Sequence, residues 1–341
     1  MAENKDQISG KGRFQNRSGT SISIPMLYEG IMQKDRTSLA RAITLIESNA
    51  EKHFPIAQEL LQLILPHGGK SLRIGISGVP GAGKSTFIEA FGMHLCSLGL
   101  RVAVLAVDPS SSISGGSILG DKTRMEQLSR HPNAFIRPSP SEGKLGGVHR
   151  KTRETMLLCE AAGFDVILVE TVGVGQSEAI IRDMVDFFML LVLTGAGDEL
   201  QGMKKGIMEL VDAIVVNKAD GENKPRALKT KSEYNRILHF IHPATVGWEA
   251  KAYTCSSLKF EGIIEIWDMI LQFEKTTRNS GVFDDRRKKQ NKHWLYSMIS
   301  DQLHYRFFHK QEVRASLPAL EKAVMNGEKT VSAAVDELFS N

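Results

Sequence analysis

The chain of 341 residues is long enough for one α/β domain with extensions or for two average domains. Hydrophobic residues make up 42% and charged residues 24%, which are ordinary values for a globular protein with a sizeable core. A formal charge of +4 is too small to argue for nucleic acid, and no apolar run approaches the roughly 18 residues needed to cross a bilayer. We therefore expect neither nucleic acid nor membrane as a partner.

Residues 1–24 are polar, carry acidic residues and lack the apolar stretch of a secretory signal, so we expect a disordered segment and a cytoplasmic protein. Cys96, Cys159 and Cys255 are isolated and odd in number. This pattern indicates free thiols in a reducing compartment rather than a metal site or a disulfide framework.

Two helical patterns follow the N-terminal segment. Apolar residues recur at helical spacing over 39–46 and again over 56–64, and Pro66 and Gly68 end this section. We assign residues 25–68 to an N-terminal helical extension.

Residues 69–275 have the pattern of an α/β domain. Short apolar runs typical of buried strands alternate with helical patterns or loops. This alternation predicts a mostly parallel sheet with crossover helices. The predicted strands are 72–77, 102–107, 134–137, 166–170, 188–193, 213–217 and 251–255.

The sheet pattern stops after Phe273, and apolar residues then recur only at helical spacing. The few helices of this segment would form only a weak hydrophobic core by themselves. We therefore expect residues 276–341 to pack on the sheet domain or on a second copy of the chain. We favour a dimerisation arm and thus a homodimer. The basic run at 286–289 is expected to be a solvated helix face.

A phosphate-loop motif joins the first predicted strand to the next helix. The segment is Gly78-Val79-Pro80-Gly81-Ala82-Gly83-Lys84-Ser85, which fits G-x-x-x-x-G-K-[ST]. Its glycines allow backbone N–H groups to face the phosphates, Lys84 reaches the β- and γ-phosphates, and the Ser85 hydroxyl binds Mg²⁺. We include the next residue, Thr86, among the predicted nucleotide contacts.

A second motif, Asn217-Lys218-Ala219-Asp220, follows the predicted strand 213–217 and selects the base. The Asp220 carboxylate can accept from both the N1–H and the 2-amino group of guanine. With adenine, the carboxylate would face the lone pair of N1 and find no 2-amino group. Leaving this buried charge unpaired would weaken binding by a free energy on the order of a few kcal/mol. The sequence therefore favours GTP over ATP. Ser256 and Ser257, after the last predicted strand, are assigned to the same site.

Three acids are candidates for the metal and the switch. Asp108 and Glu170 end predicted strands, and Asp121 lies in a Gly-rich stretch. In nucleotide switches an acid at such a strand end binds Mg²⁺ directly or through water, and a nearby glycine, here Gly173, senses the γ-phosphate. Because Mg²⁺ held by Ser85 has few open positions, we expect Asp108 and Asp121 to exchange roles between the GTP and GDP states while Glu170 stays near the metal. A helix-capping or loop role for Asp121 is the alternative.

Small signalling GTPases carry a water-orienting Gln after the glycine of this motif, whereas here Val174 follows Gly173. The sequence therefore predicts slow intrinsic hydrolysis that a partner or a rearranged loop accelerates. The phosphate loop, Asp108, Glu170 and Asn217 all follow the carboxyl ends of predicted parallel strands, so we expect them to meet at one edge of the sheet. Residues 194–204, after the predicted strand 188–193, form another Gly-rich loop at this edge. They are either a plain connection or a mobile switch that a partner recognises.

At this point four segments resemble the MeaB/ArgK/MMAA group of G3E GTPases. The resemblance extends from about Tyr28 to the C-terminus and implies a P-loop GTPase fold with a helical dimerisation arm. One departure is Thr194-Gly195, where many members carry Pro-Gly. The segments are VDPSS (107–111), GGSILGDKTRM (115–125), ETVGVGQSE (170–178) and GAGDELQ (195–201).

The resemblance also implies roles for individual residues. Lys84 and Ser85 match the positions that bind phosphate and Mg²⁺, and Asp108, Asp121 and Glu170 match the acids of the metal site and the switch. The residues that match the base-recognition motif are Asn217, Lys218 and Asp220. Lys204 matches a position implicated in partner-stimulated hydrolysis.

The implied function is that of a GTP-gated chaperone. It would help to load adenosylcobalamin into an acyl-CoA mutase, chiefly methylmalonyl-CoA mutase, and help to remove damaged cofactor. The chain has no Asp-x-His-x-x-Gly motif, so we expect the partner to carry the corrin. His149 is expected to be a surface or loop residue rather than a cobalt ligand.

Two alternatives stay open. A kinase or ATPase linked to arginine and ornithine transport, a role once attached to this family, would use ATP, and Asp220 argues against it. A non-hydrolysing module that only holds nucleotide would not need Lys84, Ser85 and Glu170 to be intact.

Overall fold

A computed structural model describes residues 23–108, 125–140, 145–171, 177–194 and 205–340. Seven parallel strands in these ranges form one sheet, ordered β3-β2-β4-β1-β5-β6-β7. The predicted parallel α/β fold is confirmed, and each predicted strand lies within one to three residues of an observed one. The strands are β1 (Leu72–Gly78), β2 (Val102–Asp108), β3 (Ala134–Pro140), β4 (Val166–Thr171), β5 (Phe187–Val192), β6 (Ala213–Val216) and β7 (Lys251–Thr254).

Strand β3 differs most from its prediction, because it continues through Pro138 to Pro140 instead of ending at 137. It pairs with β2 along its whole length and lies at one edge of the sheet. Proline lacks the N–H of an inner strand but is tolerated at an edge. The position of the strand in the sheet, which the sequence does not show, therefore explains the extra length.

Helices cover both faces of the sheet, and successive strand residues alternate between two cores. Ala103 and Leu105 face one core, whereas Val102 and Val104 face the other. Burial on both faces explains why the strands are continuous apolar runs. The helices that follow the strands are α4 (Lys84–Ser97), α5 (Glu126–Arg130), α6 (Leu145–Ala161), α7 (Ser177–Arg182), α8 (Lys205–Met208), α9 (Lys224–His239) and α10 (Ile263–Asn279).

The N-terminal helices α1 (Ile24–Met32), α2 (Arg36–Glu47) and α3 (His53–Ile64) pack against α6. The predicted apolar stripe of α2 is buried, with Leu39, Ile43 and Ile46 all at most 2% exposed. These helices share one core with the sheet. The N-terminal extension is thus part of the folded body that carries the site.

The C-terminal helices are α11 (Val282–Phe308), α12 (Gln311–Met325) and α13 (Val331–Ser340). Helix α10 continues unbroken across residue 275, so the predicted boundary falls within a helix. Helix α11 buries Phe283 and Gln290 near its start, but most of its later residues are exposed. The separate role of 276–341 as an arm stays a prediction. Among the described helices, none combines the length and apolarity needed to cross a bilayer.

The expectation of a solvated face for residues 286–289 is wrong for its two arginines. The side chains of Arg286 and Arg287 are each only 14% exposed. Arg287 pairs with Asp186, just before β5, and Arg286 lies 3.7 Å from Asp212, just before β6. The two lysines of the run are exposed, as predicted. Helix α11 therefore docks its arginines on the amino ends of two strands.

Candidate nucleotide-binding site

Because all the strands are parallel, their carboxyl ends meet at one edge of the sheet, where such sheets bind ligands. Strand β1 leads at this edge into the phosphate loop, and β4 ends there with Glu170 and Thr171. Strands β6 and β7 lead into Asn217 and Cys255 at the same edge. Segments far apart in sequence are thereby brought together.

Three glycines of the phosphate loop adopt backbone conformations that other residues avoid, and one of them is Gly78, with a φ of 156°. Gly81 and Gly83 have φ of 81° and 84°, in the left-handed region. A Cβ atom at Gly83 would also lie 2.8 Å from the Asn217 amide nitrogen, and one at Gly78 would lie 2.3 Å from the Leu191 carbonyl oxygen. Gly83 caps α4, so the first N–H groups of that helix face the loop, as in anion sites at helix N-termini.

The Lys84 ammonium group lies inside this loop. Its Nζ donates to the carbonyl oxygens of Gly78, at 2.7 Å, and Val79, at 3.3 Å. Burial lowers the pKa of Lys84, and the nearby Glu170 carboxylate raises it in part. A buried cation beside the N-terminus of a helix suits the recognition of phosphate.

Ser85 and Glu170 place two oxygen ligands side by side. The Ser85 hydroxyl donates to Glu170 Oε1 at 3.3 Å, and Glu170 is only 6% exposed. Beneath them Thr171 Oγ1 donates to Ser77 Oγ at 2.9 Å, which joins the ends of β4 and β1. A hydroxyl and a carboxylate beside a phosphate loop are the hard oxygen ligands that Mg²⁺ prefers, so these residues fit that ion.

Asn217 connects the base motif to the phosphate loop. Its Nδ2 donates to the Ala82 carbonyl oxygen at 2.9 Å. Its Oδ1 accepts from Ser257 Oγ at 2.8 Å and lies 3.4 Å from the Cys255 thiol. The Asn217 side chain is 1% exposed, so these contacts hold the loop and the ends of β6 and β7 together.

Asp220 is held by Ser256, whose hydroxyl donates to Asp220 Oδ2. The Ala219 N–H donates to the Cys255 carbonyl oxygen at 2.9 Å and fixes the turn. Lys218 has a φ of 58°, and its Cε lies 3.8 Å from the Cβ position of Gly83. The aliphatic stem of Lys218 thus runs beside the phosphate loop, and the Asp220 carboxylate has a defined orientation.

The structure therefore brings most of the predicted residues together: the loop from Gly78 to Ser85, Glu170, Asn217, Lys218, Asp220, Ser256 and Ser257. Thr86 is half-buried in the first turn of α4. Asp108 ends β2 and His149 lies in α6, but their side chains are not described. Asp121, Gly173 and Lys204 lie outside the described residues, as does the loop from 195 to 204.

Sequence reasoning missed Cys255 as a neighbour of the site. Burial raises the pKa of its thiol to about 12, so the group stays neutral beside Asn217. A lone cysteine at a strand end gives no sequence signal of this contact. Within the ranges that the structure covers, no group of three His, Cys, Asp or Glu residues forms a metal cluster.

Comparisons with known proteins show which chains this one resembles. The family model described as "Methylmalonyl Co-A mutase-associated GTPase MeaB" matches residues 39–312. The Escherichia coli protein named "GTPase ArgK" is 48% identical over 288 residues, covering 84% of this chain and 86% of the relative. The Mus musculus protein named "Methylmalonic aciduria type A homolog, mitochondrial" is 45% identical over 326 residues, covering 93% of this chain and 79% of the relative.

A solved structure gives the same result for the fold. The crystal structure of a protein named "LAO/AO transport system kinase" has a TM-score of 0.76 and 37% sequence identity, and the match covers 95% of this chain and 98% of that one. The match of the family model and the extent of the relatives establish the family. The chain belongs to the MeaB/ArgK/MMAA family, and it is a GTP-hydrolysing enzyme.

Proposed function

We propose that this GTPase gates the loading, protection and reactivation of adenosylcobalamin in a cobalamin-dependent acyl-CoA mutase. The observation that carries the proposal is the bonded unit of phosphate loop, Glu170 and base motif, in a family whose description names methylmalonyl-CoA mutase. Such a unit suits a switch, because a change at the γ-phosphate can reach several strand ends at once. The mutase, rather than this chain, would carry the cobalamin.

In the proposed mechanism this chain orients GTP and stabilises charge. Lys84 and the N–H groups of the loop would neutralise charge that develops on the phosphate oxygens during cleavage. The Asp220 carboxylate, oriented by Ser256, would hold guanine. Ser85 and Glu170 would hold Mg²⁺, with Asp108 and Asp121 as further candidates; when bound, the ion supplies charge stabilisation at the phosphates.

Slow intrinsic turnover is part of the proposal. No glutamine follows Gly173 directly, so water is poorly oriented until a partner acts. Lys204, within the proposed third switch, would contribute when the mutase binds. The nucleotide state would then determine which conformation the mutase meets.

The proposed assembly is a cytoplasmic homodimer formed through the C-terminal helices. Helix α11 exposes Leu295, Ile299 and Leu303 at four-residue spacing, with 59%, 45% and 64% of each residue accessible. A stripe of this kind on one helix face supports burial against a second copy.

The experiment is single-turnover GTP hydrolysis with and without a methylmalonyl-CoA mutase, combined with transfer of adenosylcobalamin to the apo-mutase. We expect the mutase to accelerate hydrolysis by at least about tenfold, since supplied catalytic groups are worth far more than this in related switches. Lys84→Ala should abolish both the acceleration and nucleotide-gated transfer. The proposal would be overturned if the mutase did not accelerate hydrolysis and if the rate of adenosylcobalamin transfer were the same with GTP and with GDP.

A kinase linked to amino-acid transport is the second candidate, favoured by the name of the solved relative, a transport system kinase. It requires ATP turnover and a phosphorylated acceptor. A nucleotide panel decides between the two candidates: discrimination for GTP supports the switch, whereas equal use of ATP supports the kinase. The non-hydrolysing module is excluded by membership of a GTP-hydrolysing family.

A further inference from the structure

A second cleft lies at the edge of the sheet opposite the nucleotide site. It opens between the end of α7, the first half of α11 and residues 244–246, and its volume is about 980 Å³. Arg182 and Arg286 in its wall contact Asp212 and Asp186, which directly precede β6 and β5. The cleft therefore lies at the amino ends of these strands, and its size is that of a site for a small molecule.

One face of α11 supplies most of the positive charge of this cleft. The lining residues of this helix recur at three- to four-residue spacing, so they project from the same side. They include Arg286, Lys289, Lys292, His293 and Tyr296. With Arg182 of α7, the arginines and lysines outnumber the lining carboxylates, which are those of Asp183 and Asp285.

The two arginines in the wall have too few carboxylates to balance them. The buried Asp212 carboxylate lies 2.7 Å from Arg182 and 3.7 Å from Arg286, so it serves both. The Asp186 carboxylate pairs with Arg287, and Arg286 donates to the Asp186 carbonyl oxygen. Three guanidinium groups thus face two carboxylates. The side chains of Arg182 and Arg286 are only 11% and 14% exposed, so water screens this excess charge poorly.

The excess charge persists at neutral pH. Burial, and then repulsion by Arg182, lowers the pKa of Arg286 to about 10, which still leaves the guanidinium charged. Both arginines donate to Thr245 Oγ1, which fixes their positions beside the cleft. A buried cation with an incomplete counter-charge is costly, and a bound anion would offset that cost.

Lys289 and Lys292 add two ammonium groups on the open side of the cleft. Both are exposed, and within the described ranges neither forms an ion pair. The lining carboxylates are engaged elsewhere: Asp183 pairs with Arg153 of α6 at 2.8 Å, and Asp285 lies 3.7 Å from another lysine of α11. Charges of one sign therefore converge on the cleft from two elements.

We infer that this cleft is a second ligand site, which binds a small molecule carrying a phosphate monoester. Guanidinium and ammonium groups together suit the oxygens of a dianion, and guanidinium matches phosphate with paired donors. Tyr296 and Val246, which are 59% and 77% exposed, offer apolar contact area beside the charges. An ester with an apolar or aromatic part therefore fits better than inorganic phosphate.

The competing interpretation is a solvated cationic surface. Anions would then bind without saturation, and lysines elsewhere on the protein would matter as much as those of the cleft. A site instead requires saturable binding that depends on Lys289 and Lys292 in particular. The experiment uses neither mutase nor cobalamin, so its result is independent of the chaperone role.

The test is a ligand-observed NMR titration of phenyl phosphate with the full-length protein, its nucleotide site filled by a non-hydrolysable GTP analogue and Mg²⁺. At pH 8 the probe is a dianion, because the second pKa of a phosphate monoester is about 6. We expect saturable binding to the wild type. Benzoate, a monoanion with the same ring, should bind at least about fivefold more weakly, since it carries half the charge.

Lys289→Glu/Lys292→Glu should weaken the binding of phenyl phosphate at least about tenfold, because repulsion replaces two charge-assisted contacts. The matched control is Lys275→Glu/Lys322→Glu, which changes the net charge equally at exposed positions of α10 and α12 outside the cleft. The control should bind the probe as the wild type does. Both double variants should keep the intrinsic rate of GTP hydrolysis, since these lysines lie away from the nucleotide site.

Three results would overturn the inference. They are the absence of saturable binding to the wild type, equal weakening in the two double variants, and binding of benzoate as tight as that of phenyl phosphate. Should Lys289→Glu/Lys292→Glu lose helical circular dichroism, Lys289→Met/Lys292→Met replaces it, because it removes the charges and keeps apolar stems of similar length. This variant should weaken binding at least about threefold, and unchanged binding would count against the site.

Discussion

At the residue scale, Asn217 has a larger role than its motif predicts. The motif indicated base recognition, but the side chain is fully engaged with Ala82 on one side and Ser257 on the other. Its two ends therefore align the phosphate and base halves of the site. Asp220, supported by Ser256, is left as the group whose chemistry selects the base.

Asp220→Asn should change nucleotide preference rather than abolish binding. An amide cannot accept from both guanine donors, but its NH₂ group can donate to the 2-oxo group of xanthine. We expect GTP affinity to fall at least about 100-fold and XTP affinity to rise, in line with the loss of matched buried polar contacts. Calorimetric Kd values for GTP, XTP and ATP check this.

The matched control for Asp220→Asn is Asp268→Asn, an exposed acid on α10 away from the strand ends. It should leave all three affinities unchanged. Unaltered GTP binding in Asp220→Asn would show that this carboxylate does not read the base.

At the element scale, helix α2 illustrates a local start signal. Asp35 caps it by accepting from Ser38 N at 2.7 Å and Thr37 N at 3.2 Å, and Ser38 Oγ donates to the same carboxylate at 2.7 Å. Bonds to the ionised carboxylate, chiefly from Ser38, lower the pKa of Asp35 below its usual 3.8.

Asp35→Ala should lower the melting temperature at pH 7, because the first N–H groups of α2 lose their acceptor. The folded pKa lies below the unfolded value, so this stabilisation is present above pH 3.8 and is lost as the pH falls through the folded pKa. The difference in melting temperature from wild type should therefore shrink in acid. Asp35→Asn keeps a capping side chain without a charge and should show the smaller change at pH 7. A melting temperature of Asp35→Asn equal to that of the wild type at pH 7 would contradict a charge-dependent cap.

The strands and helices also show which features of the sequence are sufficient to predict an element. The strands are short apolar runs buried on both faces, so their existence and order along the chain were predictable. The extent of β3 was not, because it depends on lying at the edge. The docking of Arg286 and Arg287 was not predictable either, since their acidic partners, Asp212 and Asp186, lie far away in the sequence, the second at a separation of 101 positions.

At the scale of the whole molecule, one folded body carries the nucleotide site, and an exposed helical segment extends from it. Leu303→Glu places a charge in the stripe proposed to pair with a second copy, where its burial would be costly. We expect the variant to be monomeric by sedimentation velocity at micromolar concentration. The fold of each monomer should be unaffected, so its circular dichroism spectrum should match that of the wild type. Because Leu303 is 64% exposed, the substitution does not disturb the core.

The control for Leu303→Glu is Gln302→Glu, which adds the same charge one position away, off the stripe formed by Leu295, Ile299 and Leu303. It should sediment as wild type. A dimer that survives Leu303→Glu would place the interface elsewhere.

The sequence by itself determined the sheet, the edge that carries the site and the class of nucleotide. These follow from local patterns: apolar runs, a loop whose glycines and lysine suit phosphate, and one carboxylate suited to guanine. Only the tertiary structure decided how these parts are joined. Asn217 meets Ala82 across 135 positions, and Arg287 meets Asp186 across 101. Periodicity shows which residues are buried or charged, but the partner of a buried polar group depends on which segments the parallel sheet brings together.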